Sequence, residues 1–398
     1  MTAASGDSAW AGTARTLYLV AMAIFLVTIS IGIPNALNVV DFDHNQILTH
    51  VHSGTVGWLT LSIVATAFLL FRAADRRLAL AMAICVPVYV LAFYTGSLPF
   101  RAIAGVALLL VILWLFAWVW RTYLAGERSL PRLGIALAIT TFTYGAIVGV
   151  LLQISFAMGT VILPGNSVGA HAGAMTFGYL ALAGMAALEW KLLGTTTLPR
   201  AGLVQFIALF AGGLILSAAL LGGAEQVGGM FYLLAQLISV VLFVVRVLPR
   251  ALRVSWTAAS GDRHFGAASV WIVVALVLFM AVVAQFIANP TDPNALNEGL
   301  LIAGDHSVYI GVITNLTFAI VLGMIAVAAG RAIVTTIVFW GMNLGLAVFV
   351  VGLAATIEPL KMVGAPVMGV SLLAGMALFA LGLLAERGAT VPAEPAPA

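Results

Sequence analysis

The stretch ILTHVHSGTVGWLTLSIVATAFLLF, Ile47 to Phe71, carries no Asp, Glu, Lys or Arg, and its only titratable groups are the imidazoles of His50 and His52. It is longer than the about 20 apolar residues that take a helix across the hydrocarbon core of a bilayer. The run therefore predicts a membrane-spanning helix with two metal-binding rings near its start. The rest of the chain is built alike: of its 398 residues 63% are hydrophobic and 8% charged, where a soluble domain carries about 25% charged residues. Apolar runs between polar breaks predict twelve spans, at about 14–37, 46–71, 77–98, 101–122, 131–157, 166–190, 201–222, 226–248, 266–288, 299–329, 331–354 and 362–386. The expected fold is an all-α polytopic membrane protein, one transmembrane domain over 1–388. The Pro/Ala-rich tail, 389–398, is expected to be disordered. The N-terminal stretch MTAASGDSAWAGTAR lacks a compact signal-peptide pattern, so the first run is expected to be a retained helix.

Charge sets the orientation. With the N-terminus inside, only Arg101 and Lys361 of the 17 Lys and Arg fall outside, and the other fifteen fall inside. That asymmetry follows the positive-inside rule and fits an even number of spans. It places both termini in the cytoplasm of a bacterial-type plasma membrane. Despite a pI near 9.2, the basic residues form no patch with interleaved aromatics, so no nucleic-acid partner is expected; the bulk partner is membrane lipid. The single cysteine, Cys85, rules out a disulfide framework or a thiolate cluster. It reads as a small packing residue.

The histidines fall in a pattern. His50 and His52 open the second span, His171 the sixth and His306 the tenth, all three spans running from outside to inside. The four rings thus share one depth near the outer face. His44 and His264 fall in loops and read as solvated. His50 and His171 are each followed seven residues later by Gly57-Trp58 and Gly178-Tyr179, while His52-Ser53 and His306-Ser307 precede Gly57 and Gly311 by five. The second span fills both slots, the sixth only the first, the tenth only the second. Such internal repetition predicts a pseudo-threefold arrangement of three four-helix units, about 14–122, 131–248 and 266–386.

On a helix, residues two apart point about 200° apart, so His50 and His52 serve two different pockets. Gly54 and Gly57 beside them leave room for a flat ligand, or equally for close helix packing. Imidazole suits iron, copper and zinc alike. Without carboxylates or thiolates alongside, sparse histidines best fit haem, one or two per chain. No CxxCH motif occurs, so the haem would be of b type, held without covalent attachment.

These residues resemble the heme–copper oxidase subunit I superfamily, which implies twelve helices with pseudo-threefold symmetry and haem ligands near the outer ends of the second, sixth and tenth. HVHSGTVGW, His50 to Trp58, looks like the tenth-helix HxH segment of the cbb3-type oxidases. HAGAMTF, His171 to Phe177, looks like the second-helix HGxxMxF segment, and DHSVYI, Asp305 to Ile310, like the sixth-helix HPEVYI segment. The resemblance covers the whole chain in topology and about thirty residues in motif, in rotated order. It implies a bis-His low-spin haem between His52 and His171, and a second pocket where His50 faces His306. HAGAMTFGY is also similar to segments of the NnrS family of haem- and copper-containing twelve-helix proteins.

The departures are equally informative. No His-His pair occurs anywhere, so a three-His copper site is not expected, nor is a proton-pumping terminal oxidase. Tyr309 follows His306 by three residues, where the family's cross-linked tyrosine follows by four. Asp305 reads as a cap of the tenth helix or a group orienting a neighbour, and alternatively as one tuning a histidine ligand. Glu189, beside Trp190 and Lys191, reads as an interfacial anchor. Gln153, Asn315 and Asn343 read as interhelical hydrogen-bonding residues. The expected function is a haem-binding membrane protein that transfers electrons or binds or converts a diatomic gas, NO or O2, served by an electron-donor protein or quinol. A small-solute transporter and a non-catalytic haem-handling partner stay open as alternatives.

Overall fold

The computed structural model describes residues 7–289, 297–325 and 332–385. Twelve helices in it are long and apolar enough to cross a membrane: α1 Ala9–Ala36, α2 His44–Phe71, α3 Arg76–Tyr94, α4 Leu98–Ala125, α5 Leu130–Met158, α6 Ser167–Leu193, α7 Arg200–Gly222, α8 Glu225–Arg246, α9 Asp262–Ala288, α10 Glu298–Leu322, α11 Ala332–Ala354 and α12 Glu358–Ala385. No strand occurs among the described residues. A bilayer leaves unpaired backbone groups no water, so every span closes its bonds internally as a helix. The protein is an all-α polytopic membrane protein. The expected tail, 389–398, lies outside the described residues.

Each predicted run coincides with one helix. Ends differ because capping chemistry, not hydropathy, sets them. Asp43 accepts from the Gln46 N–H while the Gln46 side chain accepts from the Asp43 N–H, a reciprocal cap that starts α2 ahead of its apolar run. Asp75 starts α3 by accepting from the N–H groups of Arg77 and Leu78.

Burial sorts the helices into an interior and a rim. In the most apolar stretches of α2, α6 and α10, 89%, 83% and 83% of residues are buried, against 44% in α1, α3, α4, α7 and α8. Among the others only α5 is as interior, at 78%. The histidine-bearing helices are thus central, with α5 beside them, and the less buried helices form the rim. Trp58 is fully buried. It stacks on Phe25 of α1, centroids 4.8 Å apart, and donates Nε1–H to Thr314 of α10 at 2.8 Å.

The three central helices share a backbone irregularity in one register. Just inside the histidines each widens into a π-type turn: Ser53–Thr60 in α2, Ala174–Leu180 in α6 and Ser307–Thr314 in α10. Such turns are rare and gather at functional sites. Aligned on them, Gly57, Gly178 and Gly311 coincide. A Cβ on each would collide with the preceding helix, at Ile24 of α1, Thr141 of α5 and Trp271 of α9 respectively. Glycine is required there because the helix pairs touch closely. The wide turns leave carbonyls that side chains take up: Thr60 Oγ1 donates to Thr55 O and Thr314 Oγ1 to Tyr309 O, each five residues back.

At the ends of the helices away from the four paired histidines the structure corrects two readings. Glu189 is fully buried rather than an interfacial anchor. Its Oε1 takes the Arg246 guanidinium of α8 at 2.7 Å and the Thr195 hydroxyl at 2.6 Å. His264 is also fully buried, not solvated. Its Nδ1–H donates to Asn315 Oδ1 at 2.8 Å, and Asn315 exchanges amide bonds with Asn343 of α11. Asn315 and Asn343 therefore join helices as expected, whereas Gln153 Oε1 has no partner among the described residues.

Removing one partner of a buried ion pair costs about 3–5 kcal/mol, because the other charge stays buried. Glu189→Ala is therefore expected to lower thermal stability in detergent by that order. Glu189→Gln is expected to recover part of it by still accepting from Arg246. Equal melting temperatures for wild type and Glu189→Ala would contradict the pairing.

Candidate functional site: two histidine-lined cavities

The four histidines separate into two pairs, each facing its own cavity. A cavity of about 430 Å³ between α2 and α6 is lined by His52 and His171, with Gly105, Leu108 and Ile112 of α4 on one wall. A second, of about 370 Å³, lies between α2 and α10. His50 and His306 line it, with Gly32 of α1 and Ala365 and Met368 of α12. Both linings are predominantly apolar. That His50 and His52 face different cavities is what their 200° offset on one helix predicts.

Every one of these rings is fastened through Nδ1 to a main-chain carbonyl. His50 Nδ1 lies 2.8 Å from Thr28 O, His171 Nδ1 2.8 Å from Gly145 O, His52 Nδ1 2.8 Å from Leu48 O and His306 Nδ1 2.9 Å from Ile302 O. A carbonyl oxygen only accepts, so Nδ1 carries the proton in each case and Nε2 of the neutral ring keeps its lone pair. No Nε2 of the four is hydrogen-bonded among the described residues. A hydrogen bond to one ring nitrogen that leaves the other free is how proteins present imidazole to a metal.

Two fastening modes follow the two slots. His52 and His306 bond the carbonyl four residues back in their own helix. His50 and His171 reach across to the preceding helix, to Thr28 O of α1 and Gly145 O of α5. Four residues beyond each acceptor sits a glycine, Gly32 or Gly149, on which the imidazole lies; a Cβ there would press into the ring, at 2.7 Å and 2.6 Å from its Cε1. In the third helix pair the same place in α10 is Gly304, and the Phe279 ring of α9 packs against it. Phe279 also meets Phe177 with centroids 4.3 Å apart. The place in α6 matching His52 and His306 is Gly173. The third interface thus has glycine in both slots and a phenylalanine where the other two hold imidazole.

Aromatic rings brace the histidines further. His52 stacks on Phe93 of α3 with centroids 3.7 Å apart and planes 15° from parallel, and meets the edge of Tyr89 at 5.7 Å. His306 meets the edge of Phe349 at 5.0 Å.

Asp305 and Tyr309 line both cavities, as do Val51 and Thr55, so these four side chains form the common wall. The Tyr309 hydroxyl lies 2.9 Å from Thr176 Oγ1 and ties α10 to α6. The cap of α10 is Asn297, which accepts from the Leu300 N–H, so Asp305 does not cap the helix. Nor does it bond a histidine, because His306 Nδ1 is committed to Ile302 O. Tyr309 likewise spends its hydroxyl on Thr176. Neither Asp305 nor Tyr309 is hydrogen-bonded to a histidine among the described residues; both face the cavities from their shared wall. His44 is exposed. Among the described residues no group of three or more His, Cys, Asp or Glu gathers as a metal site.

Sequence reasoning missed Gly32, Gly149 and Phe93. The two glycines signal only by standing four residues after a carbonyl that a ring from another helix takes up, which a chain with 40 glycines hides, and Phe93 carries no signal. No protein-family model matches the chain, and no curated protein matches it.

Interhelical hydrogen bonds in membranes contribute about 0.6 kcal/mol each. Thr176→Val and Tyr309→Phe are each expected to destabilise by that order. The double variant should cost no more than either single one, since both remove the same bond. Strict additivity in detergent unfolding would contradict the contact.

Proposed function

We propose that the protein is a haem-binding membrane protein that transfers electrons and binds or converts a diatomic gas, NO or O2. One observation carries this reading: two apolar cavities, each walled by a pair of imidazoles whose Nδ1 is fastened to a carbonyl and whose Nε2 is free. The donor set fits haem. Two neutral imidazoles per cavity would hold the iron, and the lining of aliphatic and aromatic side chains suits a macrocycle. His52 and His171 would hold one haem of b type as a bis-His pair. His50 and His306 would hold or face a second. Haem iron held there would supply reversible one-electron chemistry and affinity for a diatomic gas.

The chain's own residues do the rest. The carbonyl bonds at Thr28, Gly145, Leu48 and Ile302 fix each ring and its tautomer. The apolar walls keep water from the rings. Asp305 and Tyr309 set hydrogen-bonding groups toward both cavities. The adjacent His-His pair that a three-His copper site would use is missing from the sequence. We place the protein in a bacterial-type plasma membrane with cytoplasmic termini and the cavities toward the outer face, following the Lys/Arg asymmetry. Electrons would come from a donor protein at that face or from a quinol in the bilayer.

The visible spectrum tests this directly. Protein purified from haem-sufficient cells is expected to show sharp reduced α and β bands that His171→Ala and His52→Ala abolish. CO or NO should shift only the component that His50→Ala or His306→Ala removes. A colourless wild-type protein would overturn the haem reading and favour a small-solute transporter; a haem lost rapidly to apomyoglobin would favour a haem-handling role. Filling the glycine seats gives an independent check. Gly149→Leu is expected to displace His171 and remove the same bands as His171→Ala, while Gly32→Leu spares them and alters only the gas-sensitive component.

A further inference from the structure

The polar side chains on the wall of the His50–His306 cavity have their donor protons spent elsewhere. Trp58 donates Nε1–H to Thr314 at 2.8 Å. Thr55 donates to Val51 O at 2.7 Å, one turn back in its own helix. Ser53 donates to His50 O at 3.1 Å, so the proton in the 2.8 Å contact between Thr28 and Ser53 comes from Thr28. The Tyr309 hydroxyl lies 2.9 Å from Thr176, a residue that lines the other cavity and not this one. Lys361, at the start of α12, gives its ammonium to Glu358 at 2.7 Å. Asn35 stands at the exposed end of α1, three residues beyond the seat of the His50 ring at Gly32.

The imidazoles follow the same rule. Both Nδ1–H groups go to carbonyls, that of His50 to Thr28 O and that of His306 to Ile302 O. A neutral ring carries one proton, and the bond at one nitrogen decides which form is present. The other nitrogen, Nε2, is then a lone pair in both rings. An Nε2–H tautomer would offer the cavity a donor, and the two carbonyls exclude it. Asp305, on the same wall, adds acceptor oxygens. The bond that prepares one ring to hold iron thus strips the ring opposite of any proton to give.

Diatomic ligands of haem differ in what they ask of such a wall. O2 draws electron density toward itself as it binds, and hydrogen-bond donors in the pocket decide whether it is held. CO and NO stay nearly uncharged and need no donor. A wall of apolar side chains, lone pairs and spent donors therefore suits the second kind of ligand and penalises the first.

We infer that the His50–His306 cavity is a pocket for NO or CO that turns O2 away, its specificity set by the two Nδ1–carbonyl bonds and by the Thr176–Tyr309 contact. The inference rests on the haem-binding function proposed above and narrows its gas. Thr176 does not line this pocket. It acts through Tyr309, by holding the phenol hydroxyl toward the His52–His171 side.

Photolysis of the CO complex of the reduced holoprotein, in buffer equilibrated with air, sets O2 against CO before oxidation intervenes. The wild type is expected to rebind CO with no O2-bound transient. Of His50→Gln and His306→Gln, the variant that still binds CO marks the ring that faces the ligand. Its new amide N–H is expected to raise the ratio of O2 to CO affinity about tenfold, the effect of one hydrogen bond. Thr176→Val frees the Tyr309 hydroxyl and should raise that ratio by a similar factor, which loss of packing alone would not do. An O2-bound transient in the wild type overturns the selection while the haem reading stands, as does a ratio unmoved in both the glutamine variant and Thr176→Val. A protein that takes up no haem overturns both readings. The tautomers are read without haem, by nitrogen NMR of histidine-labelled apoprotein, each ring assigned by the variant that lacks it. Nδ1–H is expected at His50 and His306, and Nε2–H at either ring overturns the proposal.

Discussion

The hydrogen bond from an imidazole Nδ1–H to a helix carbonyl governs the rest of this site. In a bilayer each helical carbonyl already accepts one backbone N–H, but it has a second lone pair. Thr28 O and Gly145 O spend that lone pair on a ring from the neighbouring helix. They can do so only because the residue one turn further on is glycine, Gly32 or Gly149, which leaves the carbonyl uncovered and gives the ring a seat. The bond fixes the tautomer and the direction of the free Nε2 together. Helix spacing, glycine placement and ligand presentation are therefore one problem with one solution, used twice.

The repeated frame explains how it is used twice and not three times. The π-type turns and the contact glycines Gly57, Gly178 and Gly311 hold α2, α6 and α10 in one register. On that common frame the two slots vary: both imidazole in α2, then imidazole and glycine in α6, then glycine and imidazole in α10. Adjacent slots face each other across helix interfaces, so two interfaces gain a pair of rings and the third gains none. Phe279 then fills what would otherwise be a void, as close packing requires.

Much of this was legible in the sequence. The twelve spans followed from apolar run length, and the separation of His50 from His52 into two pockets followed from helical geometry alone. The slot alignment by glycine spacing matches the register of the π-type turns. What sequence could not show were partners brought by other helices. Glu189 reads as an interfacial residue until Arg246, 57 positions away, meets it. His264 sits among loop residues in sequence yet ends buried against Asn315. Asp305 has the spacing of a group that could orient His306, but the ring's Nδ1–H goes to the helix carbonyl of Ile302. Period and composition report which face a residue occupies, not which atom across the interface competes for it.

Both cavities hang from a single turn of α2. His50 and His52 sit on nearly opposite sides of that helix, one ring fastened to α1 and the other to its own backbone. Mechanically α2 is an axle carrying two arms. A rotation of a few degrees about its axis sweeps the two rings in opposite directions, while the Thr28 carbonyl resists on one side and the Phe93 stack on the other. The geometry at one imidazole pair therefore cannot be adjusted by turning α2 without an equal displacement at the other, and the two cavities behave as a single differential device.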